Sequence, residues 1–219
     1  MKRISLSVAF VLSCSLLVAS RQAPTVFHRS VKVKRASYAP KLTGTLTNPV
    51  WRDATVFTDF HQVSPRQDGK ASARTAAYVM YDQDNVYIGV RMSDASGSTD
   101  ADSVTIYFDP TGDHKHAAYF QVMATGTQSN GTLGLDGRQT VTQPSDWQSA
   151  AKKIPGGWAA EMTIPLKTLN IRLDDKLDVG FKVLRVIGST KEVDAGPGPF
   201  SDGPNLFSLF APVRFWAYQ

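Results

Sequence analysis

From about residue 75 onward, apolar and polar positions alternate with a period of two, the spacing of a strand with one buried and one wet face. In "NVYIGVRMSD", Val86, Ile88, Val90 and Met92 point one way while Tyr87, Gly89 and Arg91 point the other. The preceding "RTAAYVMYD" sets Ala77, Val79 and Tyr81 on one face, and "QDN" between the two predicts a turn, so the pair reads as a β-hairpin. Further strands are predicted in "SVTIYFD" (Val104, Ile106 and Phe108 inward), "AAYFQVMAT" (Phe120 and Val122 inward), "GWAAEMTIP" and "LDVGFKVLRVIG". Turn residues punctuate them at "DPTGDH", "SNGT", "LDGRQ" and "IPGG". No long amphipathic helix stands out, and "NPVWRDA" and "PLKTLNI" predict single helical turns. Short strands at regular spacing predict an all-β fold, a β-sandwich of two layers.

One acid interrupts the apolar run "GWAAEMTIPL". Trp158, Ala160, Met162 and Ile164 share the inward face, which leaves Glu161 on the opposite face with Ala159 and Thr163, and Pro165 ends the ladder. Glu161 therefore reads as a structural acid, hydrated or paired with Lys182 or Arg74 on a neighbouring strand, in preference to a general acid.

The length of 219 residues, with 42% hydrophobic and 20% charged, suits one domain with a sizeable core. Residues 1–20 read as a secretory signal peptide: Lys2 and Arg3, an apolar stretch from Ile4 to about Val18, then Ala19 and Ser20. An uncleaved anchor, or a lipoprotein acylated at Cys14, are the alternatives to that reading. Cys14 is the only cysteine and lies inside the leader, so the mature chain is expected to lack disulfides and thiolate metal sites. The formal charge of +5 becomes +3 when Lys2 and Arg3 leave. Much of the excess sits in residues 21–37, read as a basic linker arm that tethers the domain or touches anionic lipid or polysaccharide. So modest a charge on an exported chain argues against nucleic acid. No membrane span is expected after cleavage, and a bacterial periplasmic, outer-membrane-associated or secreted location follows, with the domain itself spanning 38–219.

Several motifs in order, "LTGTLTNPVWRDA", "FTDFHQVSPRQDGKASARTAAYVMYDQDNVYIGVRMSD", "DSVTIYFDPTGD", "YFQVMATG" and "GGWAAEMTIPLKTL", make the stretch Tyr38–Gly188 resemble the carbohydrate-binding module family 9-like domain. The version it is most similar to stands N-terminal to outer-membrane barrel regions of unknown function in bacterial envelope proteins; no barrel follows here, so a stand-alone module is expected. The resemblance implies an antiparallel, jelly-roll-like β-sandwich, immunoglobulin- or galactose-binding-like in appearance, that binds glycan, in some members with structural Ca²⁺. It also implies positions for a sugar site. The tryptophan that precedes the "DSV" strand in sugar-binding members corresponds to Thr99. The hydroxyl-binding acid on that strand corresponds to Thr105, the arginine on the next strand to Gln121, and a second aromatic clamp in "GPGPFSDGPN" to Phe200. Asp202 in the same loop and Trp147 in "PSDWQSA" join the candidates for carbohydrate contact. In the N-terminal signature the family's acids are replaced by Thr43, Thr47 and Asn48, while Gly44 and Trp51 are kept; Trp51 is expected to plug the core of the sandwich.

Other chemistry is weaker. Asp94, Asp100, Asp102 and Asp109 offer carboxylate pairs, as glycoside hydrolysis uses, but any acid-rich loop does so and nothing marks one acid as buried and raised. Asp82, Asp84, Asp94 and Asp102 suit a Ca²⁺ site built from loop oxygens. His114 and His116 stand two apart, as metal ligands on one strand face would, without a third ligand. With Met92 and Met123 they are also the candidate axial ligands for haem in an electron-transfer reading. The expectation is non-catalytic binding of carbohydrate or cell-envelope polysaccharide. The alternatives are an envelope interaction module with a degenerate sugar site and an envelope protein partner, and a haem-binding carrier.

Overall fold

The Asp82–Asn85 turn shows how the local sequence starts the architecture. Asp82 Oδ1 accepts from the backbone N–H groups of Asp84 and Asn85, both at 2.8 Å, and the Asp82 N–H donates to the Asn85 carbonyl at 3.0 Å. The chain thereby reverses within three residues and the flanking alternation comes into register, Tyr81 opposite Val86. The protein is known from a computed structural model, which describes residues 30–67, 69–94, 97, 99–142, 145–173, 178–197 and 210–215. In chain order the strands are β1 (Val31–Lys32), β2 (Lys34–Arg35), β3 (Thr55–Phe57), β4 (His61–Ser64), β5 (Gly69–Lys70), β6 (Thr75–Tyr81), β7 (Asn85–Ser93), β8 (Ser103–Asp109), β9 (Ala117–Met123), β10 (Gln128–Leu133), β11 (Gln139–Val141), β12 (Gln148–Ile154), β13 (Gly157–Pro165), β14 (Val179–Ile187), β15 (Glu192–Gly196) and β16 (Ala211–Arg214).

They form two sheets packed face to face. The larger runs β11, β10, β9, β8, β14, β15, β4, β5, with β16 beside the start of β14 and β1 beside β16. The smaller runs β12, β13, β7, β6, and β6 also pairs with β3 and β2. Each inward position expected from the alternation is in the shared interior: Ala77, Val79 and Tyr81; Val86, Ile88, Val90 and Met92; Trp158, Ala160, Met162 and Ile164 from the smaller sheet; Val104, Ile106, Phe108, Phe120 and Val122 from the larger. The fold is thus the expected all-β sandwich, antiparallel except where β1 and β2 join. Those two strands lie in the segment read as a linker arm. Val33 between them is buried in the main core, so pairing starts at Val31 instead of Tyr38.

"NPVWRDA" forms the 3₁₀ turn Pro49–Asp53, with Pro49 at its start and the Asn48 side chain accepting from Val50 N–H at 3.1 Å. "PLKTLNI" forms overlapping turns after β13, closed by Thr168 N–H on the Pro165 carbonyl and Leu169 N–H on the Leu166 carbonyl. Among the described residues no helix is long and apolar enough to cross a membrane.

The outer face of the smaller sheet is covered too. Val50, Trp51 and Ala54 pack on Met80 and Tyr87 of β6 and β7, so Trp51 is buried outside the sandwich under an N-terminal strap, and not between the sheets as expected. A side chain at Gly89 would overlap Leu46 Cδ2 and come within 3.2 Å of the Trp51 ring, so β7 needs a glycine under the strap. Glu161 holds the strap in place. Its Oε2 accepts from Thr43 N–H, from Gly44 N–H at 2.6 Å and from Thr43 Oγ1 at 3.2 Å; its Oε1 accepts from Leu46 N–H at 3.1 Å and Trp51 Nε1–H at 2.9 Å. Glu161 is therefore neither hydrated nor paired with Lys182 or Arg74: it faces outward from the core, as the alternation says, but the strap closes over it and supplies neutral donors in place of a base. Gly44 has φ of 73° and its missing Cβ would meet the Ala151 backbone at 2.8 Å, so only glycine presents its N–H here without strain or clash.

Candidate functional site

The outer face of the larger sheet collects the polar and aromatic residues that alternate with the core. Register places Thr105 of β8 between Gln121 of β9 and Leu184 of β14, and Tyr107 between Tyr119 and Lys182. Ser129 of β10 continues the row from Gln121. Gln121 Nε2 donates to Thr105 Oγ1 at 3.1 Å, and Ser129 Oγ donates to Gln121 Oε1 at 3.4 Å, forming a ladder of hydroxyl, amide and hydroxyl across three strands. Beside it lies an aromatic platform. Tyr107 sits 6.2 Å from Phe210 in stacked orientation and 6.4 Å from Tyr119, with Ala117 and Leu133 in the same cluster and Leu184 against it. Gln139 Nε2 donates to the Tyr107 hydroxyl at 2.7 Å.

The electrostatics of this face follow from burial. Lys182 is fully buried, and loss of hydration brings its ammonium down to about 7. Burial also pushes the Tyr107 phenol up to about 12, so it stays a neutral donor and acceptor. Thr105 is 2% exposed and Gln121 half-buried. Chemically the face sets aromatic rings beside amide and hydroxyl groups, the combination that a pyranose with C–H faces and a polar rim requires; Tyr107, Tyr119, Phe210 and Lys182 are buried within it, and Gln121 and Ser129 are its partly open groups.

The structure brings together Thr105 and Gln121 and separates most other candidates from them. Thr99 lies off the strand, its hydroxyl donating to Asp102 Oδ1 at 2.8 Å, and brings no aromatic. Trp147 belongs to the interior: it packs edge-on against Phe120 at 5.3 Å and its Nε1–H donates to Asn130 Oδ1 at 3.0 Å, so its ring is not offered to a ligand. Phe200 and Asp202 lie outside the described residues. Tyr107, Tyr119 and Lys182, which stand on the same face as Thr105 and Gln121, were not among the expected contacts. Their signal was present, since each occupies an outward position of its strand, but outward polarity reads as solvent exposure until a second layer is known to cover it.

The four aspartates expected to share Ca²⁺ do not share a site. Asp82 and Asp84 form the turn before β7, while Asp94 and Asp102 lie beyond its other end, nine residues or about 30 Å of strand away. Asp94 and Asp102 instead neighbour Arg185, with Glu192 and Asp194. Arg185 is fully buried; Nη1 donates to the Arg74 carbonyl at 3.2 Å and Thr75 Oγ1 at 3.1 Å, and Nη2 to the Ser93 carbonyl at 2.6 Å. A guanidinium thus supplies positive charge among these acids, and among the described residues no three His, Cys, Asp or Glu side chains are grouped to hold a metal. Burial, then the neighbouring Glu192, raises the Asp194 carboxyl to about 7. Asp109 is buried too and organises its own turn, accepting from Gly112 N–H at 2.9 Å and His114 N–H at 2.8 Å. The haem candidates are scattered: Met92 is in the core, Met123 is on the far face of the other sheet, and His114 and His116 are exposed on the β8–β9 turn.

A family model described as carbohydrate family 9 binding domain-like matches residues 42–195. Among solved structures, a family 9 carbohydrate-binding module from Caldicellulosiruptor kristjanssonii in complex with cellotriose aligns with a TM-score of 0.61 at 16% identity, covering 87% of this chain and 95% of that one. The same kind of module from that organism in complex with glucose gives 0.58 at 16% identity, covering 87% and 97%. A Bacteroides uniformis protein named for carbohydrate binding gives 0.62 at 11% identity, covering 86% and 99%. No curated protein matches the chain.

Proposed function

The chain belongs to the carbohydrate family 9 binding domain-like family, and on that premise we propose that it binds glycan, without catalysing a reaction, through the outer face of its larger sheet. The observation that carries this reading is the hydrogen-bonded pair Thr105–Gln121, at the strand positions where the family resemblance implies sugar contacts, continued by Ser129 and flanked by Tyr107 and Tyr119. The likeness to modules described with cellotriose and glucose supports a glucan-type sugar as the first ligand to try. Binding without hydrolysis is supported by where the acids lie: Asp94 and Asp102 are engaged around Arg185, and Asp109 caps its turn, so none faces the ladder. The reading includes export by the leader pattern at residues 1–20 and a cell-envelope or extracellular polysaccharide as partner.

A second reading, an envelope interaction module that no longer uses its sugar face, is favoured by the missing aromatic at Thr99 and the burial of Thr105. One experiment separates the two. The mature protein and the Thr105→Ala/Gln121→Ala variant are applied to a panel of neutral glucans and other envelope glycans. Retention of the parent with at least about tenfold weaker retention of the variant is expected, one well-made hydrogen-bonded contact being worth about that factor. Retention of neither, or equal retention of both, overturns the sheet-face reading.

A further inference from the structure

A second cleft, of about 680 Å³, lies away from that face, at the edge of the smaller sheet's outer surface that the strap leaves open. Phe60 forms an apolar wall, Ser72 and Ser93 contribute hydroxyls, and Lys70, Arg74 and Arg91 stand around it. All three cationic residues are exposed, and none has an ion-pair or hydrogen-bond partner for its side chain among the described residues. No acid lines the cleft among those residues. Unpartnered like charges gathered at one concavity oppose folding by mutual repulsion, so their convergence is unfavourable in the absence of an anion.

The floor is held firmly. Arg185 bonds the Arg74 carbonyl from β14 across to the start of β6 and the Ser93 carbonyl at the end of β7, and Glu192 accepts from Ser72 N–H at 2.7 Å. Two backbone points of the cleft are thus tied to one buried guanidinium in the opposite sheet, which fixes the spacing of the cationic residues without spending their own donors. The acids behind the floor offset them only in part, because they lie around the buried Arg185 charge, Glu192 accepts from Ser72 N–H, and Asp194 is held toward its protonated form. Lys152 of β12 continues the charge: it is in register with Ala159 and through it with Arg91, two strands or about 10 Å away. The charged row is longer than one sugar ring.

We propose that this cleft binds a carboxylate-bearing polysaccharide, a polyuronate, with Arg74 and Arg91 forking the carboxylates, Lys70 closing the far side and Phe60 against a sugar C–H face. Guanidinium pairs bidentately with carboxylate, and a cleft of this volume admits about two sugar residues. The site is independent of the sheet-face reading.

The test uses the mature protein with polygalacturonate and, separately, with the neutral glucan panel, by affinity electrophoresis or calorimetry at several salt concentrations. Lys70→Gln/Arg74→Gln/Arg91→Gln is expected to weaken polygalacturonate binding at least about tenfold and flatten its salt dependence, with melting temperature equal or raised as the mutual repulsion is relieved and neutral-glycan retention unchanged. Thr105→Ala/Gln121→Ala should leave polygalacturonate binding intact, so failure at one site is told apart from failure at the other. A charge-matched control, Lys41→Gln/Lys115→Gln/Lys153→Gln, should bind like the parent. No binding of the parent at low salt, equal binding by the cleft variant, or an equal loss in the control overturns the proposal, the last by reducing the effect to overall charge.

Discussion

Replacing Glu161 by Gln changes one atom's chemistry and no volume, at a position where five donors converge on one carboxylate. An amide keeps one acceptor oxygen and turns two N–H groups toward the rest. If the oxygen takes the Oε2 place, it still serves Thr43 and Gly44, and the Leu46 N–H and the Trp51 indole N–H then face a donor. A buried donor left unsatisfied costs about 1–3 kcal/mol, so two cost about 2–6 kcal/mol; the opposite orientation also strands two, the Thr43 and Gly44 N–H groups, because the Thr43 hydroxyl can turn to accept from the amide. The loss is local first, because all the donors belong to the strap. Urea unfolding should show a lower midpoint by that amount. Hydrogen exchange should speed up at Thr43, Gly44 and Leu46 before the core amides of β7 and β13 respond. A destabilisation below about 1 kcal/mol, or exchange that accelerates uniformly across strap and core, would refute the assignment of Glu161 as the strap's anchor.

Three further outcomes follow from other contacts. Gly89→Ala places a methyl where Leu46 and Trp51 already lie, and should cost about 1–3 kcal/mol by displacing the strap, read by urea unfolding and by a shift in Trp51 emission. Trp147→Ala should cost about 3–5 kcal/mol by opening the core and stranding Asn130, while the folded fraction retains its glycan affinity; lost affinity at unchanged stability would return Trp147 to the ligand. The third concerns pH. Asp194 has its carboxyl raised to about 7, so its contribution to stability is fully present below about pH 4 and is lost as pH rises to 7. Lys182, lowered to about 7, contributes fully above about pH 10.5, and that contribution is lost as pH falls to 7. The two together are least favourable near neutrality, and Asp194→Asn should flatten the dependence of melting temperature between pH 5 and 7 relative to the parent.

The interior of the sandwich was legible because alternation has a physical cause local to each strand: successive side chains of a pleated chain point to opposite faces, whatever the strand packs against. Val86, Ile88, Phe120 and Met162 could be placed from their neighbours alone. The proposed site was legible only through family resemblance, which pointed to Thr105 and Gln121; that the two stand opposite one another on neighbouring strands is set by the register. Tyr107, Tyr119 and Lys182 looked like wet positions, as did Glu161. What misled was the assumption that a two-layer fold has two layers, when the strap adds cover to one sheet and the other sheet's outer face is also buried.

Which way successive side chains of a strand point was decided by the sequence itself, since this rests on backbone geometry over two residues; where glycine must stand was not, because Gly89 lies under Leu46 and Trp51 of the strap and Gly44 against the Ala151 backbone, and the turn expected at "SNGT" is taken up into β10. Which outward faces become interiors was decided by tertiary structure, because closing the strap over Glu161 and tying Arg185 to both sheets join residues about a hundred positions apart. A carboxylate or a guanidinium carries the same letter in either setting. Only the donors and acceptors brought to it from distant parts of the chain determine whether it is solvated, structural or poised at a site.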